Sequence, residues 1–154
     1  MNGLDLPITG EPEQTISAAR PVNRVALLAA DYVGMKPTMF VKPGDTVKRG
    51  QPLFEDKKTP GVMYTSPGAG TVRAVNRRDK RALISVTIDL SQNEISGTPS
   101  DDEHQTFEKF TSKPVPALNR DDVRALLIES GLWTAFRTRP FSKVPAVDAT
   151  PDGI

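Results

Sequence analysis

The sequence predicts a mainly β chain that runs into the first helix of an incomplete α/β unit. Three observations carry this. Fourteen prolines and 11 glycines in 154 residues cut the chain into short segments, proline being at about twice its ordinary ~5% share. Ile84, Val86, Ile88 and Leu90 alternate with Ser85, Thr87 and Asp89, the period of a strand with one buried face. After Pro116 the spacing changes, and Val123, Leu126 and Leu127 stand three and four apart, as on one face of a helix.

Residues 1–23, with Pro7, Pro12 and Pro21, hold no period and read as an irregular lead-in. Arg24–Leu28 is a short apolar run and reads as a buried strand. Gly34 and Pro37 punctuate a loop over 31–37. Met39 and Val41 alternate with Phe40 and Lys42, as in a strand, and Pro43-Gly44-Asp45 makes a tight corner. Residues 46–55 form two extended pieces around Gly50. Val62–Thr65 is a strand, Ser66-Pro67-Gly68-Ala69-Gly70 a second corner, and Thr71–Val75 the strand that leaves it. The two corners are expected at opposite ends of a sandwich. Residues 91–106 are polar, with Gly97, Pro99 and Asp101-Asp102-Glu103, and read as a loop. The β domain then covers 24–116. Asn119 is an N-cap, Asp121 and Asp122 suit the helix dipole, and Gly131 is a stop, so a helix is expected over 120–130. Residues 132–154 mix aromatic and basic side chains with three prolines and cannot easily pack on themselves. They read, with the helix, as a truncated α/β domain over 117–154.

Several chemistries are excluded. There is no cysteine, hence no disulfide, thiolate metal site, cysteine-held cluster or thiol nucleophile. A single histidine cannot form a ligand pair, and His104 reads as a solvated loop residue. The net charge of +1 offers no general footprint for nucleic acid. The longest apolar run, Val25 to Ala30, is far short of the ~20 residues of a membrane helix. Met1-Asn2-Gly3-Leu4-Asp5 has no signal-peptide pattern, and a reducing cytoplasmic compartment fits. Gly68-Ala69-Gly70 lacks the third glycine and the helix of a dinucleotide fingerprint. Asp101-Asp102-Glu103 has no fixed shell for a cation and reads as solvated. Arg73, Arg77, Arg78, Lys80 and Arg81 cluster at an inter-strand turn. They read as the exposed end of a hairpin, with an acidic protein surface or lipid headgroups as the functional alternative.

The two corners resemble those of the lipoyl and biotinyl carrier domains, which implies a barrel-sandwich hybrid. Carriers present a modified lysine on a tight hairpin between the corners. Lys57 and Lys58 fall in that interval, but Glu55-Asp56-Lys57-Lys58-Thr59-Pro60-Gly61 is a longer loop without a flanking methionine, so both lysines read as solvated.

A wider resemblance rests on Gly3-Leu4-Asp5-Leu6-Pro7-Ile8, on Asp31-Tyr32-Val33-Gly34-Met35-Lys36-Pro37, on Phe54-Glu55-Asp56-Lys57-Lys58 and on the long stretch from Glu129 to Pro145. In these the chain resembles the A subunits of the bacterial Na+-translocating NADH:quinone oxidoreductases. The family's proteins are longer, so the resemblance implies an N-terminal third that lacks the short basic strand before Gly3. It implies a subunit without a catalytic group of its own, peripheral on the cytoplasmic side of the bacterial inner membrane, docked to membrane-embedded partner subunits. NAD, flavins and iron then belong to those partners, ubiquinone is the substrate of the complex, and nucleic acid is not a partner.

Related flavin-binding subunits of complex I and of the Rnf complex carry a glycine-rich loop after the corresponding helix, where backbone N–H groups can hold phosphate. Here Leu132, Trp133, Thr134, Ala135 and Phe136 follow Gly131 and are too bulky for that role. With no ferredoxin-type cysteines either, an Rnf-type subunit is the lesser alternative, as is a stand-alone lipoyl-like carrier or assembly module. The candidate quinone contacts are Tyr32, Val33, Gly34 and Met35 with Trp133, Phe136, Arg137, Arg139, Phe141 and Lys143. The rings and Met35 would supply walls and the arginines donors. The competing reading packs these aromatics into an interdomain core and leaves the basic residues in solvent.

Overall fold

Short strands and sharp corners build two small antiparallel sheets in the computed structural model, which describes residues 9–150. The Gly3–Ile8 motif lies outside the described residues. Residues 9–23 hold no regular element and are exposed. The strands are β1 (Arg24–Leu28), β2 (Pro37–Met39), β3 (Thr46–Val47), β4 (Pro52–Asp56), β5 (Met63–Thr65), β6 (Gly70–Arg77) and β7 (Leu83–Leu90). They form a four-stranded sheet in the order β1-β7-β6-β3 and a three-stranded sheet in the order β2-β4-β5, antiparallel throughout. Between them lie Val41, Val47, Leu53, Phe54, Val62, Tyr64, Val72, Leu83, Val86 and Ile88, all buried. This is the expected mainly β, barrel-sandwich architecture.

The corners close as proline and glycine require. Asp45 N–H donates to the Lys42 carbonyl at 3.2 Å, and the Lys42 N–H returns to Asp45 Oδ2 at 2.9 Å. Gly44 takes φ +93° at the position where a type II turn needs the left-handed region. The second corner is held by the Ser66 hydroxyl on the Gly68 carbonyl at 2.6 Å and by the Ala69 N–H on Glu94 Oε1 at 2.7 Å. The two corners do not stand at opposite ends of the sandwich. Val72 pairs with Asp45 and Gly70 with Val47, so one short ladder between β3 and β6 separates them.

Other expectations are corrected by packing. β1 is an edge strand, exposed on alternate residues, and not a buried one. Its neighbour β7 breaks its own alternation. Asn76 pairs with Ser85 and Arg77 with Leu83, which leaves Ile84 without a partner in a bulge and 38% exposed. The segment 91–106 is not only loop. Ser91 caps a helix α1 (Gln92–Ser96) by accepting from the Glu94 N–H at 3.1 Å. Asp101–Glu103 forms a 3₁₀ turn, closed by a capping box in which Glu103 accepts from the Ser100 N–H at 2.9 Å.

The second helix, α2 (Arg120–Glu129), begins at Asn119, whose side chain accepts from the Asp122 N–H at 2.8 Å. It lays Leu127 and Ile128 against the core. The chain after it packs on the β unit as well: Trp133 is buried, and Val144 and Val147 lie on the same core. No helix among the described residues is long and apolar enough to cross a membrane.

Candidate functional site

One buried carboxylate organises the first wall. Asp56, 6% exposed at the end of β4, accepts the Lys36 N–H at 2.9 Å and the Lys58 N–H at 3.0 Å through Oδ1. It thereby fixes the loop before β2 and the loop after β4 side by side. The first loop folds over itself, with the Met35 N–H on the Tyr32 carbonyl at 3.2 Å and Gly34 at φ +76°. The Lys58 ammonium donates to the Gly34 carbonyl at 2.8 Å. Lys58 is thus engaged at this wall and is not a free loop lysine.

Beneath the loop, the Tyr64 ring in β5 stacks on Phe54 at 4.7 Å and takes the edge of Tyr32 at 4.6 Å. Its hydroxyl is buried and meets no partner among the described residues. Burial raises the phenol pKa, and the Asp56 carboxylate adds to this. The group is therefore a protonated O–H at neutral pH, a donor with nothing to donate to.

The second wall comes from the other end of the chain. At Gly131, φ +78°, a Cβ would stand 2.6 Å from Thr65 Oγ1, so only glycine lets the chain cross β5 this closely. A 3₁₀ turn, Leu132–Ala135, then inserts Trp133, whose Nε1 donates to the Pro145 carbonyl at 3.0 Å. The Arg137 guanidinium covers the Tyr32 ring at 5.2 Å and donates to the carbonyls of Thr134, Phe136 and Asp31. The loop 138–143 is closed by Thr138 N–H on the Lys143 carbonyl and Ser142 N–H on the Thr138 carbonyl, both at 2.8 Å. Lys143 is carried to within reach of Gly34.

Between the walls is a cavity of about 220 Å³. Tyr32, Val33, Gly34, Met35 and Lys143 line it, as do Asp56, Lys58, Thr59, Tyr64 and Val144. Residues more than a hundred positions apart are thus brought together. Arg137 stands behind Tyr32, three of its donations going to backbone carbonyls, and is not among the residues lining the cavity, so it braces the wall. Trp133 belongs to the core. Phe136 meets the edge of Trp133 at 5.2 Å and is half exposed. Arg139 and Phe141 lie outside the cavity, Phe141 exposed beneath the Lys143 ammonium at 5.8 Å. Sequence reasoning missed Tyr64, since strand alternation marks it as interior but says nothing of an unsatisfied hydroxyl. It also missed Asp56, whose buried position is set by the two loops it joins.

Two curved antiparallel sheets joined at Pro/Gly corners, followed by a capped helix, define the class: a barrel-sandwich hybrid domain. Residues 1–91 match the NqrA N-terminal barrel-sandwich hybrid domain, and residues 118–154 match the NqrA second alpha/beta domain. The chain belongs to the NqrA family. It is 53% identical over 152 residues to the A subunit of the Na(+)-translocating NADH-quinone reductase of Glaesserella parasuis. It is 54% identical over the same length to the proteins of that name from Pasteurella multocida and Pseudomonas aeruginosa. In each comparison 99% of this chain is covered, and the chain spans 32% of the relative's length.

Proposed function

We propose that the chain is the N-terminal portion of the quinone-interacting A subunit of a Na+-translocating NADH:quinone oxidoreductase, and that the cavity between the two loops receives the quinone ring. The observation that carries the reading is the cavity itself, where Tyr32–Met35 and Lys143 meet above Tyr64, whose hydroxyl is buried and unpartnered. A quinone ring is flat and weakly polar and fits aromatic, methionine and aliphatic walls with one or two donors at its carbonyls. Tyr32, Met35 and Val144 supply the walls. Tyr64, beneath the cavity, would turn its free O–H to one ring carbonyl, and Lys143, which also lines it, would supply a second donor. As charge develops on the ring oxygens, the nearby ammonium groups of Lys143 and Lys58 favour it. Arg137, first expected as a donor, acts by holding Tyr32.

In this reading the NADH site, flavins and iron reside in partner subunits, and the chain sits peripherally on the cytoplasmic side against membrane-embedded partners. The chain has no activity alone, and residues 117–154 open its second domain.

The test belongs in the complex. Tyr64→Phe removes the hydroxyl and keeps the stacked ring. The apparent KM for quinone should rise about fivefold, the equivalent of one net hydrogen bond of ~1 kcal/mol. Oxidation of NADH by an artificial acceptor should not change, and the melting temperature should hold or rise, because a buried unsatisfied group has gone. Lys143→Met should raise the same KM. An unchanged quinone KM in both variants would sink the proposal.

A further inference from the structure

Tyr32, Gly34 and Met35 also form one wall of a second hollow, a groove of about 810 Å³ whose chemistry differs from that of the cavity. Lys36 on one side and Arg77, Arg78, Lys80 and Arg81 on the other place five cations on it. The chain as a whole carries only +1, so this is a local concentration. None of the five takes part in an ion pair among the described residues. Arg73, their neighbour in sequence, is pointed elsewhere and pairs with Asp89 at 3.1 Å. Asp79, the acid within the turn, lends its carbonyl to the Ala82 N–H. Between the cations lies apolar surface, with Leu28 47% and Ile84 38% exposed.

The turn that presents the cations is strained. Lys80 and Arg81 stand one after the other in the left-handed region, at φ 58° and 62°. The Arg78 N–H donates to the Ala82 carbonyl at 2.9 Å across the turn. A hairpin tip of this shape ordinarily carries Asn-Gly, because a Cβ disfavours both positions. Two long cationic side chains occupy them here at the expense of folding free energy. Strain kept at a charged, exposed site is the mark of a requirement other than stability. The bulge that turns Ile84 outward, just below the tip of the same hairpin, supplies the apolar part of the groove.

We propose that this groove docks the protein on an anionic phospholipid, with the phosphate among the arginines and the first methylenes of an acyl chain on Leu28 and Ile84. A free phosphate would leave the apolar floor uncovered, and a purely acidic protein segment would do the same. A lipid satisfies both halves at once. The inference takes from the preceding section only that the protein works at a membrane. It would hold the shared wall of Tyr32 and Met35 against the bilayer surface, the side from which a lipid-soluble quinone approaches.

Flotation of the full chain on phosphatidylcholine vesicles, with and without phosphatidylglycerol, tests it. The parent should bind the anionic vesicles only, and added salt should release it. Lys80→Asn with Arg81→Gly should melt at or above the parent temperature, since it relieves the turn, yet bind anionic vesicles roughly 30-fold more weakly. Lys80→Gln with Arg81→Gln should lose the same binding, and Ile84→Ser should lose part of it. In the detergent-solubilised complex all three should keep the parental KM for quinone, which separates failure here from failure of the quinone reading. Equal binding to both vesicle types, or undiminished binding by the two double variants, would overturn the proposal. So would loss of complex assembly with vesicle binding intact, because the groove would then belong to an acidic protein partner.

Discussion

At Gly70 the chain leaves the second corner and enters β6 so close to β7 that a Cβ would stand 2.0 Å from the Asp89 carbonyl oxygen. Backbone is on the other side of that contact, so nothing flexible can give. Gly70→Ala should therefore force β6 and β7 apart and destabilise the protein by about 3 kcal/mol, at the upper end of overpacking costs. Gly44, at φ +93° but facing open space, makes the control: Gly44→Ala should cost about 1 kcal/mol, from the left-handed backbone alone. The two midpoints in a denaturant titration check both values, and equal shifts would refute the argument. Both glycines were legible from the sequence as corner residues, because proline and glycine announce a turn by their own dihedral limits. Tyr64 was not legible in the same way. Its hydroxyl matters because of what is missing around it, and no local pattern records the absence of a partner. The loop motifs that pointed to Tyr32–Met35 and Lys143 did so through resemblance. Their meeting at one cavity depends on Arg137, whose guanidinium covers the Tyr32 ring and donates to the Asp31 carbonyl, a link between segments that the sequence shows only separately.

Among the elements, α1 has the largest effect for its size. Its five residues carry Glu94, whose side chain is 3% exposed. That carboxylate accepts the Ala69 N–H of the second corner and both donors of Arg49, which follows β3. The helix thus clamps a corner to a strand. The hydrogen bond from Arg49, reinforced by that from Ala69, holds the Glu94 carboxyl below its ordinary value of 4.5. A folded-state pKa below the unfolded one means stability that is complete above about pH 4.5 and lost as the pH falls through the folded value. Acid should therefore loosen the corner first, with amide exchange rising at Ala69 and Gly70 before the centre of β7. Glu94→Gln should lower the melting temperature at pH 7 and flatten its acid dependence, so that parent and variant converge at low pH. Parallel curves would show that another carboxylate sets the dependence. This helix escaped sequence reading because five residues are too short for any period to emerge, and Ser91 and Glu94 drew no notice inside a polar run. The strands fared better where one face is buried. Alternation placed β7 correctly, and it failed at Ile84, which the bulge leaves exposed, and at Ser85, which is buried.

For the molecule as a whole, the question is whether the β unit and the segment that follows it stand or fall together. Composition suggests a break near residue 117, since helical spacing begins there after a polar, proline-bearing stretch. Packing argues for a shared core. Trp133 is 8% exposed and belongs to the same apolar cluster as Phe54 and Tyr64, with Leu127, Ile128, Val144 and Val147 around it. Arg124 of α2 lies over the Trp133 ring at 5.6 Å and also donates to the Val147 carbonyl at 2.7 Å, so helix, turn and tail are tied at one place. Thr65 Oγ1 reaches the Ser130 carbonyl at 3.2 Å from the small sheet. A sandwich this small buries little apolar surface of its own, and a large aromatic side chain is a substantial part of it. Trp133→Ala should therefore cost about 3–5 kcal/mol, the range for a large core aromatic. The loss should be global, with β7 and α2 unfolding in one transition when followed by amide exchange at Val86 and Leu126. If α2 alone melted early and the strands kept the parental midpoint, the two parts would be separable and the shared core would be incidental. The cavity gives an independent readout of the same coupling. Because Arg137 and Lys143 reach Tyr32 and Gly34 only while Trp133 anchors the intervening turn, on the proposed quinone reading the variant should weaken quinone binding in the complex under conditions where it is still folded.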